Sequence, residues 1–518
     1  MDRSRLGFFI ILGMTLIVCV VIFFTKILPS DVFHWDEGHH ALYGMWLSEN
    51  VSSGDWESFW ANTHRQAYWP FFHSWLLAAF FLIFNMSYAA ARALSLALFI
   101  PTVMLTYLVC LRADERLGWI IGIVACSLCL TSPFLLDYAS LCMIEMPGAL
   151  IFVLAAYLYL RALEEKRMWL DLIPWGLLGL VLGISMVTKY NYALHIIPAV
   201  ALVVFIDLVA DWRSGNVTRY TWLKYASALA PLLLITVMWF TSYDMERKIS
   251  MVLWTKETHE KLGLPNFFEH YFYYFRTVID NYFFSRWLGL LSLASAFGAF
   301  YFSKNRTVRS LAVMFLASLF ISTFILPHRL ARGFLMEAPW LIIIFSFCAV
   351  RLFDLISGRE GKKKFALFAA YFLVLFPSLL GLSRIPSIFS PPGGFDGRAA
   401  DVLEFIDQSV PGEARMSTVI SSPRLSPYTF TFHFRSRPAP ALSSFDARNP
   451  AFLKSEYFST VEPLKDKMEL FEGGGLPGDV DKWNSAFDKA LRDGFLEVHE
   501  TKDLPELGVR VKIFRRAR

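Results

Sequence analysis

The run from Trp69 to Phe84, WPFFHSWLLAAFFLIF, decides how the rest of the chain is arranged. It is apolar enough to enter a bilayer but falls short of the roughly 20 residues that a spanning helix needs. It opens on Trp69-Pro70 and carries His73 and Trp75. Whether it spans or lies flat fixes the side of the membrane that every later loop faces. Further apolar runs lie near 6–24, 88–111, 117–134, 146–162, 171–188, 190–209, 222–242, 285–303, 310–327, 334–352 and 365–384. They predict about eleven spans. The first continues through Lys26 to Pro29 without a small-residue cleavage site, so it reads as a retained span rather than a removed signal peptide.

Charge decides the orientation of the ambiguous run. Short basic loops belong on the inner side of a membrane. They are Arg112/Arg116, Arg161/Lys166/Arg167, Arg213/Arg219/Lys224, Lys304/Arg306/Arg309 and Arg359/Lys362/Lys363/Lys364. All five face the same side as Arg3 and Arg5 only if Trp69–Phe84 does not cross. The run is therefore expected to be a juxtamembrane helix on the outer surface. By the same parity, the loops 29–87, 135–145, 189–191, 243–284 and 328–333 face outward, with everything after residue 385.

Composition agrees with this class. The 518 residues are 55% hydrophobic and only 18% charged, where a soluble domain carries about 25%. The mean hydropathy is +0.45. A soluble enzyme, a disordered chain and a disulfide-stapled domain are excluded. The net charge of +5 is small and dispersed, which speaks against nucleic acid as a partner. The six cysteines sit in or beside apolar runs, so the Cys126/Cys129 pair reads as packing. The tail, 388–518, opens on Pro391-Pro392-Gly393-Gly394 and reads as a small soluble α/β domain. Helices are expected over Ala399–Ser409 and Asp481–Leu491, with strands over Met416–Ile420, Tyr428–Phe434, Phe495–His499 and Val509–Phe514.

The outward loops hold the chemistry. His34-Trp35-Asp36-Glu37-Gly38-His39-His40 sets two carboxylates beside three histidines at the membrane surface. That constellation suits acid/base work, and equally a helix start with Asp36 as its cap. It leaves room for a divalent cation, magnesium or manganese, although no HExxH-type spacing requires one. Asp137 and Glu145 are the acids of the next outer loop, and one of them is expected to face Asp36. Lys189, Arg329 and Arg332 are outward cations that the charge rule does not favour. Snorkelling explains a single one; a phosphate accounts for all three.

The order of these features resembles the polytopic glycosyltransferases that use polyprenyl-phosphate sugars, the C-type glycosyltransferase superfold. Within it, the chain is most similar to the branch of the protein O-mannosyltransferases and the lipid A aminoarabinose transferase. The residues that carry the resemblance are Asp36-Glu37, Ser53-Gly54-Asp55-Trp56, Tyr68–Leu76, Ala89–Leu94, Glu145-Met146-Pro147, and Gly179, Gly183 and Thr188-Lys189. They cover residues 7–200; residues 201–384 follow by topology alone. His39 stands where the aminoarabinose branch often has Arg, and Ala67-Tyr68-Trp69-Pro70 replaces its Glu-Lys-Pro segment. These departures point away from aminoarabinose and lipid A and leave the donor class in place.

The resemblance implies transfer with inversion from a polyprenyl-phosphate sugar to a glycan, lipid or protein acceptor. Asp36 would be the base, with Glu37 orienting it or touching the sugar. Lys189, Arg329 and Arg332 would hold the phosphate. Glu145, His39, His40, Tyr68 and His73 would line the sugar or acceptor site. The expected location is a bacterial inner membrane with the tail outside the cytoplasm, among membrane lipids. The competing class is a transporter or a lipid-binding membrane protein without transferase activity, for which charges deep within the spans would be the mark.

Overall fold

The computed structural model describes residues 3–30, 32–33, 35–164, 170, 172–242, 244–250, 267–326, 331–357, 400–411, 414, 416–418, 427–434, 455–463, 489–505 and 509–517. Helix α1, Arg3–Ile22, runs into a π-helical turn, Phe23–Ile27. After a short link, α2 spans Trp35–Ser53. Two acids in its first turn, Asp36 and Glu37, complement the positive end of the helix dipole. The Ser53-Gly54-Asp55-Trp56 segment is a helix stop followed at once by a helix start. Gly54 adopts a φ of 72°, and the Asp55 N–H closes back on the Asn50 carbonyl at 2.9 Å. The Asp55 carboxylate then caps α3, Trp56–Arg65, by accepting from the Ser58 N–H at 3.0 Å.

The deciding run forms α4, Phe72–Phe84, whose 13 residues cover only about 20 Å. It does not have the length of a span, in agreement with the charge argument. Gly44 lets it lie close on α2: a Cβ there would sit 2.5 Å from the Leu77 Cβ. Together α2, α3 and α4 make a layer at one end of the bundle.

The bundle follows: α5 Tyr88–Ala113, α6 Gly118–Leu130, α7 Pro133–Ala139, α8 Glu145–Glu164, α9 Leu172–Met186, α10 Tyr190–Arg213, α11 Arg219–Thr241, α12 Phe267–Asn281, α13 Arg286–Phe302, α14 Arg306–Phe320 and α15 Ala338–Ser357. A second π-turn, Ile321–Ile325, extends α14, and a 3-10 turn, Ala331–Glu337, leads into α15. Ten of the eleven expected runs are helical; the eleventh, 365–384, lies outside the described residues. Seven helices among the described residues are long and apolar enough to cross a membrane, or eight if α6 and α7, bent by 64°, count as one span. Two of the ten, α9 and α13, have only 15 and 17 residues. The sequence runs merge apolar caps and turns with the helices proper, which is why the count drops. The Gly179/Gly183 spacing lets α9 approach α11: a Cβ on Gly179 would fall 1.7 Å from the Ala228 carbonyl oxygen.

The tail carries α16 Ala400–Ser409, α17 Pro427–His433 and a four-stranded sheet in the order β1-β2-β4-β3. The strands are β1 Met416–Thr418, β2 Tyr457–Pro463, β3 Leu496–Leu504 and β4 Val509–Arg516. β1 and β2 are parallel, with Met416 opposite Tyr457; β4 is antiparallel to both β2 and β3. One of the tail expectations is overturned. Tyr428–Phe434 is a helix, not a strand. Its aromatic and Thr content favours strands, but packing decides: Phe432 is buried against Phe33 and Tyr88, which a helical face presents together. β2 went unread. Most of Asp481–Leu491 lies outside the described residues, as does the expected boundary at 388.

The tail is also less separate than its composition suggests. Its core of Val402, Ile406, Tyr457, Val511 and Ile513 includes Val32, from the link before α2. Thr429 donates to the Phe33 carbonyl at 3.3 Å, and Tyr88 and His433 share a hydrogen bond at 3.1 Å.

Candidate active site

Four segment ends meet beside the α2–α4 layer. Asp36 comes from the first turn of α2, inside the helix rather than at its cap. Glu145 is the first residue of α8, where a carboxylate is favoured by the helix dipole. Lys189 sits on extended backbone between α9 and α10 (φ −161°, ψ 128°). Arg332 enters from the 3-10 turn before α15. Asp36 Oδ2 is in direct contact with Arg332 Nη1. Lys189 Nζ donates to Glu145 Oε1 at 3.3 Å, and Arg332 Nε lies 3.9 Å from the same oxygen. Two acids and two cations, drawn from four separate stretches between positions 36 and 332, thus form one cluster. Of the two acids weighed for the loop 135–145, Glu145 is the one that faces Asp36. Asp137 instead accepts from Lys26 at 2.7 Å.

The cluster is mostly shielded from water, though not closed. Asp36 and Arg332 retain 14% and 25% side-chain exposure. Glu145 is buried, and its Oε2 has no partner among the described residues. Burial lowers the Lys189 pKa, while the Glu145 carboxylate opposes that shift. The Lys189 ammonium also lies 5.2 Å from the Tyr192 ring. Gly148, one turn along α8 from Glu145, makes room for that ring: a Cβ there would meet it at 2.6 Å.

The histidines form the adjoining wall. His39 and His40 pack on Trp69 with ring centroids 4.8 Å apart in each case, and His40 lies 5.1 Å from His73. Burial pushes His39 down to about 4, against the pull of Asp36, and His73 down to about 3. His40 is pushed well below its ordinary value first by burial, with the neighbouring His73, His39, Lys189 and Arg332 acting in the same direction. All three rings are neutral at pH 7. His40 and His73 are enclosed, whereas His39 and Tyr68 keep partial access. Burial and the nearby Asp36 charge raise the Tyr68 hydroxyl. Among the described residues, no three His, Cys, Asp or Glu side chains are grouped to hold a metal ion. His34 and Arg329 lie outside the described residues.

Glu37 occupies a different place from the one expected. Its side chain is fully buried, and Arg92 Nε and Nη2 donate to its two oxygens at 2.8 and 3.0 Å. The Cys142 N–H adds a bond at 2.8 Å, and Arg92 Nη2 also reaches the Val32 carbonyl at 3.0 Å. Consecutive residues on a helix point about 100° apart, so the Asp36-Glu37 pair divides its work. Asp36 faces the cluster; Glu37 ties α2 to α5 and to the segment before α8. The sequence signal for this was Arg92, a lone charge in an apolar run.

A second buried group went unread. His195 Nδ1 lies 2.7 Å from Glu337 Oε1, and the Ser318 hydroxyl also binds that carboxylate. This pair sits inside the spans, where the sequence reading placed no charge.

The comparisons bear on this geometry. Residues 69–240, about a third of the chain, match the family model for dolichyl-phosphate-mannose-protein mannosyltransferase. No curated protein matches the chain by sequence. Among solved structures, the chain is similar to ArnT from Cupriavidus metallidurans in the apo state, with a TM-score of 0.61, 16% identity and 97% of each chain covered. The same enzyme bound to undecaprenyl phosphate gives 0.60 and 14%, again with 97% of each chain covered. The apo oligosaccharyltransferase of Archaeoglobus fulgidus gives 0.50 and 13%, covering 88% of this chain and 69% of that one. The resemblance to polytopic glycosyltransferases read from the sequence therefore holds in the family model and in the fold.

Proposed function

We propose that the protein transfers a sugar from a polyprenyl phosphate to an acceptor hydroxyl on the outer face of the membrane, with inversion at the anomeric carbon. The observation that carries this reading is the Asp36–Arg332–Glu145–Lys189 cluster, which sets a partly accessible carboxylate beside two cations at the end of the bundle. The fold shared with ArnT, one of whose structures holds undecaprenyl phosphate, supports the donor class.

In this mechanism Asp36 takes the proton of the acceptor hydroxyl as its oxygen bonds to the anomeric carbon. The bond from that carbon to the phosphate oxygen breaks, and its electrons leave with the polyprenyl phosphate. Positive charge builds on the sugar ring and negative charge on the departing oxygen. Lys189 and Arg332 stabilise the latter; their contacts to Glu145, at 3.3 and 3.9 Å, are long enough to be shared with a phosphate. Arg329, three positions before Arg332 in the sequence, is assigned to the same phosphate. Tyr68 and His39 contact the sugar, and the enclosed His40 and His73 support that wall. Glu37 acts as a positioning residue through Arg92. A magnesium or manganese ion, if used, would be held by Glu145, whose Oε2 has no partner among the described residues, and would supply further charge stabilisation to the departing phosphate.

The test is turnover of a panel of labelled polyprenyl-phosphate sugars by the purified protein and by Asp36→Asn, with membrane extract as the acceptor source. Release of polyprenyl phosphate from one donor by wild type alone supports both the class and the base. Equal activity of the variant would remove Asp36 from that role. A folded wild type that neither binds nor turns over any polyprenyl phosphate would end the transferase reading.

A further inference from the structure

A cavity of about 540 Å³ opens near the catalytic cluster, between the π-helical turn Phe23–Ile27, α5, α7 and the end of α12. Tyr138 stands at its wall, within electrostatic reach of Asp36, Glu145 and Arg332 on one side and of Asp137 on the other. The volume lies in the range of small-ligand sites. Phe134 and Tyr138 supply aromatic surface, their ring centroids 5.4 Å apart, while Asp137, Asp280 and Asn281 supply polar edges.

The charges in this cavity are already matched. Lys26 is bound to Asp137 at 2.7 Å. Asp280 is held by Arg276 at 3.1 Å and by Arg286 at 2.8 Å. Arg92, at the back of the cavity, is committed to Glu37. An anionic or cationic ligand would have to break one of these pairs. A polyol would not, because paired carboxylates keep lone pairs that accept from hydroxyls. Aromatic faces next to planar acceptors and an amide are the chemistry that a sugar ring presents in reverse, with an apolar C–H face and a hydroxyl edge.

We propose that this cavity is the acceptor pocket and that the acceptor is a neutral carbohydrate. It would be seated with its apolar face on Phe134 and Tyr138 and its hydroxyls on Asp137, Asp280 and Asn281. The inference rests on the transferase reading above and adds the acceptor class to it. The reacting hydroxyl passes Tyr138 to reach Asp36, gives up its proton there, and bonds to the anomeric carbon as the sugar–phosphate bond breaks. Inversion requires the acceptor oxygen to attack on the face opposite the phosphate that Lys189 holds.

The test uses the full chain in lipid nanodiscs and a panel of free neutral and acidic oligosaccharides, read by saturation-transfer NMR. Binding of undecaprenyl phosphate is measured in parallel. Wild type is expected to bind at least one neutral oligosaccharide. Asp137→Ala, which removes a hydroxyl acceptor, and Asn281→Trp, which fills the cavity, should each weaken that binding about tenfold, equivalent to about 1.4 kcal/mol. Both variants should hold undecaprenyl phosphate as wild type does, which also certifies their fold. No neutral oligosaccharide bound by wild type, equal binding by both variants, or binding of acidic glycans alone would each overturn the proposal. Failure of wild type to bind undecaprenyl phosphate would instead defeat the transferase reading, and with it the acceptor role, whatever the glycan result.

Discussion

Arg92 grips Glu37 through two nitrogens, at 2.8 and 3.0 Å, one residue along the chain from the partly accessible acid Asp36. Both side chains are enclosed, so neither can exchange its partner for water. Removing one member of such a pair strands the other charge, at a cost of about 3–5 kcal/mol. Arg92→Leu should therefore unfold at a clearly lower temperature in detergent. The double variant with Glu37→Leu should recover part of the loss. Equal melting of Arg92→Leu and wild type would show that the pair does not hold α2 in place.

Asp36 sits at the partly accessible edge of the cluster, paired with Arg332, and an amide there is nearly isosteric, so its variant separates chemistry from folding. Asp36→Asn should keep the melting temperature within a few degrees and lose transfer by about 10²–10⁴-fold, the usual contribution of a positioned base. Rapid-quench measurement of product from the identified donor gives the value.

Lys189 and Arg332 should act on donor binding. A charge-assisted hydrogen bond contributes about 1.5–3 kcal/mol, so Lys189→Ala or Arg332→Ala should weaken polyprenyl-phosphate binding about ten- to a hundredfold. Arg332→Lys should restore part of it. Calorimetric titration with undecaprenyl phosphate, with no sugar attached, isolates this effect from the chemistry.

The neutral histidines give the fold a pH dependence of defined sign. In the unfolded chain a histidine takes up its proton near pH 6.5, whereas His73 resists until about 3 and His39 until about 4. Below 6.5 the unfolded state binds more protons, so stability is complete above that pH and falls as pH drops toward the folded values. The slope is up to about 1.4 kcal/mol per pH unit for each ring. Melting temperature from pH 7.5 to 5 should decline, and His73→Phe should flatten the decline. An unchanged slope in the variant would remove His73 from the account.

Gly179 lets the backbones of α9 and α11 come close together, with no room for a Cβ against Ala228. Gly179→Val should force the two helices apart and lower expression of folded protein, whereas Gly13→Val, where a side chain meets nothing, should be neutral. Size-exclusion profiles of the two variants compare them directly.

Much of this was readable from the chain because the bilayer enforces simple rules. The 13-residue α4 could be told from a span by length and by the parity of basic loops. The same parity brought Asp36, Glu145, Lys189 and Arg332 to one face before any coordinates. What it could not give was direction around a helix axis. Nothing in Asp36-Glu37 says that one acid faces the cluster and the other Arg92; that depends on which neighbour α5 brings close. His195 and Glu337 stayed hidden for a related reason, being 142 positions apart and joined only by packing. In the tail, Tyr428–Phe434 alternates like a strand, and only the apolar surface of Phe33 and Tyr88 turns it into a helix.

Val32 belongs to the core of the tail, and Phe33 is clasped by Phe432, a few residues ahead of the acid at position 36. The two ends of the polypeptide are thus one mechanical unit, with the C-terminal segment serving as a splint for the entry to α2. A fragment trimmed to its hydrophobic helices would keep every residue of the polar cluster and lose the brace that aims it. Shortened forms of this chain are therefore poor stand-ins for the whole in any assay of turnover.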